Sequence, residues 1–456
     1  MDATRRFPPA DDGSPHAALQ AAVARAIAAA LPARGCVAVA LSGGRDSVAL
    51  FDATLAAATR EQFCVVALHV DHGLSPNASR WAQFCRTLCA ERGVACDVSN
   101  VAVERGARIS VEAAARSARY AALARLARDH GAAAVLLAHH ADDQAETLLL
   151  QLLRGAGPRG LAAMPAARFD GVWWLRPWLD VPRAALDDYA GSRGLHHIDD
   201  ESNADARYRR NALRNAVVPA LRDIAPGYPA TLVRAAELQA DAAALLDDLA
   251  ALDARDAYDG ATLDCAVFAR LDARRGANVL RWFLREQRLP AAARARLANA
   301  LSQLHRSTAG SRIEIRHAGA VLGVHRGRLV VQCKPVEPYS CVWSGADDVS
   351  MPHGALRLSR RLGVGIAARH AANATVTIRS GSRGERLRLP GRTTRRNVAD
   401  LLREAGVARW ERHAIPRIYC GDALAAVVTV GADAAFAAAP GEPGLAWQWT
   451  AAPTMA

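Results

Sequence analysis

Val37-Ala38-Val39-Ala40-Leu41-Ser42-Gly43-Gly44-Arg45-Asp46-Ser47 is the stretch on which the reading of this chain turns. Five apolar residues stop at two glycines flanked by serines. Val48, Leu50, Phe51 and Leu55 then follow at helical spacings. The pattern predicts a buried strand, a tight turn and a helix N-terminus. Such a turn is an anion site, because glycines let the backbone come close and the first free N–H groups of the helix point into it. Ser42 and Ser47 add hydroxyls. Asp46 is out of place beside phosphates unless a cation lies between, and Mg²⁺ held by Asp46 would resolve the conflict.

A strand–helix turn with convenient glycines and no ligand is the plain alternative, and the full strand-S-G-G-x-D-S-helix pattern argues against it. The stretch resembles the PP-loop of the N-type ATP pyrophosphatases, which cut ATP between its α and β phosphates to adenylate an oxygen. The resemblance implies ATP binding by Ser42, Gly43, Gly44, Arg45, Asp46 and Ser47. It is not a Walker loop, which needs G-x-x-x-x-G-K-[ST]; the only lysine of the chain is the distant Lys334.

The 456 residues leave room for about three domains. Hydrophobic content of 51% and charged content of 22% are those of a folded soluble protein. A net charge of +12, carried almost wholly by arginine, suits either a polyanionic partner or a merely basic surface. Nine cysteines without C-x-x-C spacing read as reduced, mostly core thiols of a cytoplasmic protein. Residues 1–14 lack the apolar segment of a signal peptide, and no apolar run reaches about 18 residues, so no membrane partner is expected.

Strand and helix alternate four times along residues 17–138, at the spacing of βαβ units. The expected fold class is α/β, a parallel sheet with helices on both faces. Ligands sit at the carboxyl ends of such strands, so Ser42–Ser47, His69–Leu74 and His139–Asp143 should share one rim. His139-His140-Ala141-Asp142-Asp143-Gln144-Ala145-Glu146-Thr147 leaves the fourth strand and enters a leucine-rich helix. Asp142, Asp143 and Glu146 can lie near one face. They are either helix-dipole partners or catalytic acids, with His139 beside them; zinc is weakly supported, since no third ligand completes a tetrahedron. Residues 156–161 should break regular structure as a mobile loop carrying Arg154 and Arg159 at its borders, followed by a last strand at Trp173–Pro177. Arg207, Arg210 and Arg214 share a helix face that is either solvated or an RNA backbone clamp.

Ser42–Ser47, His69–Leu74, His139–Thr147, Arg154–Gly160 and Asp200–Arg214 occur in the order seen in the tRNA(Ile)-lysidine synthase family, which this chain resembles over most of residues 37–220. The H-x-D-D-Q-x-E-T element followed by R-G-x-G-x-x-G is the selective part. The resemblance implies a PP-loop, adenine nucleotide α-hydrolase-like fold. It also implies an ATP-dependent ligase that replaces the C2 oxygen of a tRNA wobble cytidine with the ε-amine of free L-lysine. Asp46, His139, Asp142, Asp143 and Glu146 are then the catalytic candidates, Asp46 the Mg²⁺ ligand, and Arg154, Arg159, Arg207, Arg210 and Arg214 RNA contacts.

Past Pro229 the pattern becomes mainly helical, closed by short strands near 313–316 and 329–332. Between Arg379 and Arg417 eleven arginines face four acids, a local excess able to hold several phosphates. This stretch resembles the C-terminal tRNA-binding domain of longer lysidine synthases, with Arg383, Arg386, Arg392, Arg395 and Arg396 as the contacts. The expected domains are 1–222 (catalytic), 223–335 (mainly helical, substrate-binding), 336–366 (connecting strands and linker) and 367–456 (small α+β, tRNA-binding). The sequence is compatible with a homodimer without requiring one. Two rivals stand: a PP-loop enzyme that thiolates a tRNA base, and an RNA-binding protein without ligase activity.

Overall fold

An alanine-rich helix, α1 (Pro15–Ala30), buries Leu19, Val23 and Ile27 at a spacing of four, one stripe of its surface. Strand β1 (Cys36–Ala40) follows, with Val37, Ala38 and Val39 fully buried. The chain then alternates through α2 (Arg45–Glu61), β2 (Cys64–Asp71), α3 (Ala78–Glu91), β3 (Ala95–Asn100), α4 (Val111–Asp129), β4 (Ala132–Leu136) and α5 (Ala141–Leu153). Next come α6 (Pro158–Leu161), β5 (Ala167–Asp170), β6 (Val172–Leu175), α7 (Arg183–Ser192), α8 (Arg209–Ala212), a wide helical turn at Leu213–Val217, α9 (Val218–Ile224) and α10 (Tyr228–Ala254). The structure is a computed structural model that describes residues 15–31, 35–71, 73, 77–101, 111–198, 209–306, 313–332, 337–345, 348–351 and 354–451. The N-terminal leader, Leu74, the Asp200–Tyr208 stretch with Arg207, and Lys334 lie outside the described residues.

The six strands are ordered β3-β2-β1-β4-β6-β5, with every neighbouring pair parallel except β5–β6. Two apolar layers cover the sheet. One carries Leu50, Phe51, Trp178, Leu186 and Tyr189 under α1, α2 and α7; the other carries Leu123, Leu126, Ala127 and Trp174 under α4. The expected α/β class is therefore met, with an antiparallel edge added by β5. That strand escaped the sequence reading because Ala167-Arg168-Phe169-Asp170 is exposed at all four positions and has no apolar run to announce it. Successive strands run outward from β1 to β3, and β4 lies on the opposite side of β1. Strand order thus reverses between β1 and β4, where doubly wound sheets open a crevice for ligands.

Residues 156–161 correct the sequence reading in part. Gly155 does turn the chain with a left-handed φ of 69°, but Pro158 then starts the single turn α6. Gln144 on α5 pins the following segment from both sides: its amide donates to Met164 O at 2.8 Å, and its oxygen accepts from Met164 N–H at 2.9 Å.

Residues 1–245 and 246–456 are two compact units. In the second, Asp272 caps a helix (Ala273–Glu286) by accepting from Arg274 N–H and Arg275 N–H. That helix, a second one (Arg294–His305) and an antiparallel sheet of Leu263–Asp264, Glu314–His317, Ala320–His325 and Arg328–Gln332 share one core. One inner strand of this sheet, Ala320–His325, lies between the two short strands expected near 313–316 and 329–332. A β-rich region follows. Residues 340–342, 348–351 and 354–362 are strands, and the last of these pairs through nine positions with Pro443–Ala451. No described helix is long and apolar enough to cross a membrane.

Candidate active site

The turn after β1 is shaped by contacts within itself. Gly43 takes φ +89°, a conformation that favours glycine, and a Cβ there would come within a tight 3.1 Å of Ile198 Cδ1. Ser42 and Ser47 hydroxyls are 3.0 Å apart, and Ser47 donates to Gly44 O at 2.8 Å. The first helical bond of α2 is Val48 N–H to Gly44 O, so the amides of Arg45, Asp46 and Ser47 have no acceptor within the helix. No side chain caps them. His69, at the end of β2, is within 2.8 Å of Leu41 O through its Nδ1 and steadies the exit of β1.

The Ser42–Ser47 and His139–Asp143 regions meet as expected; of the His69–Leu74 loop, His72 and Leu74 lie outside the described residues. His140 leaves β4 and opens α5, with only 2% of its surface exposed. Its Nε2 lies 3.7 Å from Asp46 Oδ2 and 3.4 Å from Asp143 Oδ2, and its Nδ1 lies 3.7 Å from Asp142 Oδ2. Burial disfavours the charged ring, yet the nearby carboxylates of Asp46, Asp143 and Asp142 hold its pKa above the ordinary histidine value. Asp46 is the mirror case. Burial works to raise it, but His140, Arg183 and Arg45 bring it below the usual carboxylate range. Its Oδ1 is buried without a hydrogen-bond partner. Sequence reasoning named His139 and passed over His140. The tandem histidines were the signal, but side-chain direction at the end of a strand is decided by register.

His139 has the opposite environment. It is half-buried, and Arg176 Nε donates to its Nδ1 at 3.2 Å. Burial, then the charges of Arg176, Arg210, Arg116 and Arg119, push its pKa well below the ordinary value. A guanidinium can only donate. The neutral ring therefore accepts at Nδ1 and carries its proton on Nε2. Arg176 was not among the residues singled out from sequence.

The three acids do not act alike. Asp142 Oδ2 accepts from Arg183 N–H at 2.9 Å, tying α5 to the start of α7. Asp143 Oδ2 accepts from His140 N–H at 3.2 Å. Its Oδ1 meets Arg210 at 2.9 Å and Arg214 at 3.5 Å. Glu146, 3% exposed, accepts from Arg210 Nε and Arg214 Nε, each at 2.7 Å. Both arginines thus turn inward onto the acids instead of presenting a basic outer face. Arg45 sends its guanidinium to Asp187 on α7, 2.9 Å away. Arg154 and Arg159 are exposed at the end of α5 and in α6.

In the second unit Arg383, Arg386, Arg392, Arg395 and Arg396 are all exposed. Arg386 donates to Arg395 O at 3.1 Å, and Arg396 is ion-paired with Glu404. Arg417 is instead buried against Glu385 at 2.9 Å, and Arg379 stacks 3.5 Å over the Tyr419 ring. The arginine run is thus divided between surface and core.

A parallel sheet, an amide-lined Ser-Gly-Gly turn at its switch point and a carboxylate in the first turn of the helix define a PP-loop ATP pyrophosphatase. The PP-loop domain family matches residues 16–221, the TilS substrate binding domain residues 263–330, and the TilS substrate C-terminal domain residues 376–449. The chain is 39% identical to a tRNA(Ile)-lysidine synthase of Azoarcus sp. over 95% of each chain. It is 41% identical to that of Chromobacterium violaceum over 84% of this chain and 88% of the relative. The chain belongs to the tRNA(Ile)-lysidine synthase family. Among solved structures it is similar to a U34-tRNA thiolase from Methanococcus maripaludis, with 16% identity, a TM-score of 0.42, and 48% of this chain and 77% of that one covered.

Proposed function

We propose that the protein forms lysidine, joining the ε-amine of free L-lysine to C2 of the wobble cytidine of tRNA(Ile) with a CAU anticodon. ATP is consumed, and AMP and pyrophosphate are released. The observation that carries this reading is the 3.7 Å approach of Asp46, on the phosphate turn, to His140, at the head of the acid-bearing helix. It supports one cleft serving both nucleotide and amine. The two rival readings are not favoured, because the relatives matched over most of the chain are lysidine synthases.

The amides of Arg45–Ser47, with Ser42, Gly43 and Gly44, take the phosphates. Asp46 fits Mg²⁺, since its Oδ1 is buried without a hydrogen-bond partner, Arg45 Nε standing 3.7 Å off, and a cation must separate it from an anion. When bound, the ion supplies charge neutralisation on the triphosphate. The cytidine C2 oxygen attacks the α-phosphorus, and the bond to the bridging α–β oxygen breaks as pyrophosphate departs. The amine of lysine then bonds to C2, and AMP leaves with the former C2 oxygen. Adenylation is needed because that oxygen is otherwise a poor leaving group.

Lysine arrives as an ammonium with an ordinary pKa of about 10.4 and must lose a proton. Asp143 and Glu146 receive the ammonium in place of Arg210 and Arg214, and Asp143 accepts the proton. Asp142 keeps α5 and α7 together around them. His139 serves through its Nε2–H as a donor to the substrate. Arg154 and Arg159 meet the RNA backbone, as does Arg207; Arg210 and Arg214 reach RNA only after lysine has displaced them from the acids. Residues 1–222 are the catalytic domain, 223–335 bind substrate, 336–366 connect, and 367–456 hold tRNA through Arg383, Arg386, Arg392, Arg395 and Arg396. The reaction belongs in the cytoplasm, where tRNA, ATP and lysine meet, and does not demand a homodimer.

Mass spectrometry of tRNA(Ile) after incubation with ATP and lysine should find one lysine on one cytidine. Asp46→Ala should abolish tRNA-dependent ATP–pyrophosphate exchange. Asp143→Ala should retain exchange and lose lysine transfer; wild-type transfer in that variant would refute its role.

A further inference from the structure

Outside the cleft the catalytic unit holds a second concentration of charge. A cavity of about 650 Å³ lies between α4 and the outer strands β5 and β6. Arg116, Arg128, Arg168 and Arg176 line it, over a floor of Tyr120 and Trp174. The carboxylate among its described lining residues is Asp170, which pairs with Arg168 at 3.1 Å. Arg116 and Arg128 have no carboxylate partner among the described residues; Arg116 instead lies 5.5 Å from the centre of the Tyr120 ring. Burial works to raise the Tyr120 phenol, yet Arg176 and then Arg116 bring its pKa below the ordinary value, a sign of uncompensated positive charge.

The groove leads to the reaction centre. Arg176 donates to Tyr120 Oη at 3.3 Å and to His139 Nδ1 at 3.2 Å, so one buried guanidinium joins groove and cleft. Arg116 and Arg128 stand twelve positions apart on α4, roughly 18 Å along its axis. That reach exceeds a small carboxylate, which occupies one arginine fork. The triphosphate already has the amide turn. A line of guanidinium groups beside the part-exposed Tyr120 ring, with Trp174 buried beneath, suits a phosphodiester backbone.

We propose that this groove is an RNA-phosphate subsite of the catalytic unit, carrying the strand that adjoins the reacting cytidine. The inference rests on the lysidine reading. It adds a contact that reads backbone and fixes the position of the nucleotide relative to the cleft.

The test uses the full chain with Arg128→Ala and Arg168→Ala combined, both residues being exposed and remote from the acids. The KM for tRNA should rise roughly tenfold at moderate salt, and the slope of log affinity against log salt should flatten by about 1.4 for two single-strand phosphates or about 1.8 for duplex. The KM values for ATP and lysine should stay as in the wild type. The paired Arg→Lys variant should recover most of the tRNA affinity, which a folding defect would not allow. An unchanged tRNA slope overturns the proposal while wild-type lysidine formation leaves the reading of the cleft standing. A raised KM for ATP or lysine with an unchanged tRNA slope also overturns it and marks the groove as a small-anion site. If the wild type forms no lysidine but its tRNA binding loses salt dependence in the double variant, the reading of the cleft fails and the RNA subsite survives.

Discussion

At the residue scale, burial makes single charges decisive. Asp52 on α2 is 3% exposed and holds three partners: Arg92 at 2.8 Å, Tyr189 at 2.8 Å and Arg193 at 3.1 Å. Burial works to raise its pKa, but hydrogen bonds from Arg92, Arg193 and Tyr189 bring it below the usual carboxylate range. A carboxylate depressed on folding adds stability above its unfolded pKa, and loses it as pH falls through the folded value. Asp52→Asn should therefore cost about 3 kcal/mol near neutral pH. The difference from wild type should shrink only in acid, below about pH 4, as urea melts at a series of pH values would record. His139 offers a second measurement. Arg176→Met removes a nearby positive charge, so the ring pKa should climb toward about 6.5 when followed by NMR. A ring that does not move would mean that burial and the remaining arginines hold it down without Arg176. Neither Asp52 nor Arg176 stood out in the sequence, because a charged residue in a helix or after a strand looks like surface until its neighbours are known.

At the element scale, most of the catalytic unit was legible. Apolar runs that end at glycine or polar turns marked β1, β2 and β4, and 3.6-residue periodicity marked the helices between them. Motif spacing located the heads of α2 and α5. The glycines after α5 spoke for irregular backbone, whereas Pro158–Leu161 forms a helical turn and Gln144 makes two hydrogen bonds to Met164 just beyond it. Each such bond is worth about 1 kcal/mol net. Gln144→Ala should accordingly speed hydrogen exchange at the Met164 amide by roughly thirtyfold, or about 2 kcal/mol of local opening. An unchanged rate would place the anchor elsewhere. The inward turn of Arg210 and Arg214 also belongs to this scale: an arginine-bearing helix face is identical in sequence whether it meets water, RNA or acids.

For the molecule as a whole, net charge pointed to a polyanion and the family supplies tRNA. The arginine-rich tail invites a deletion from residue 370. Such a cut would strip Gly354–Leu362 of Pro443–Ala451, its partner along nine positions, and leave an open strand edge. Charge reversal is the cleaner probe. Arg383→Glu, Arg392→Glu and Arg395→Glu together alter exposed side chains and spare the Arg396–Glu404 and Arg417–Glu385 pairs. tRNA affinity should fall, with the salt slope flattening by about 2 to 3 for three lost phosphate contacts. A slope equal to wild type would place the RNA on other residues.

The sequence by itself determined the alternation of strand and helix, the amide-bearing turn and the acid-rich helix head, because periodicity and turn chemistry are local properties written within a few residues. The tertiary structure alone decided which of two adjacent histidines faces Asp46, which arginines neutralise Asp143 and Glu146, and which remain open along α4. Those outcomes depend on strand register, on the reversal of strand order between β1 and β4, and on charges that approach within 4 Å from positions as far apart in sequence as Asp46 and His140. Electrostatic environment is a property of distance in space, and distance along the chain does not encode it.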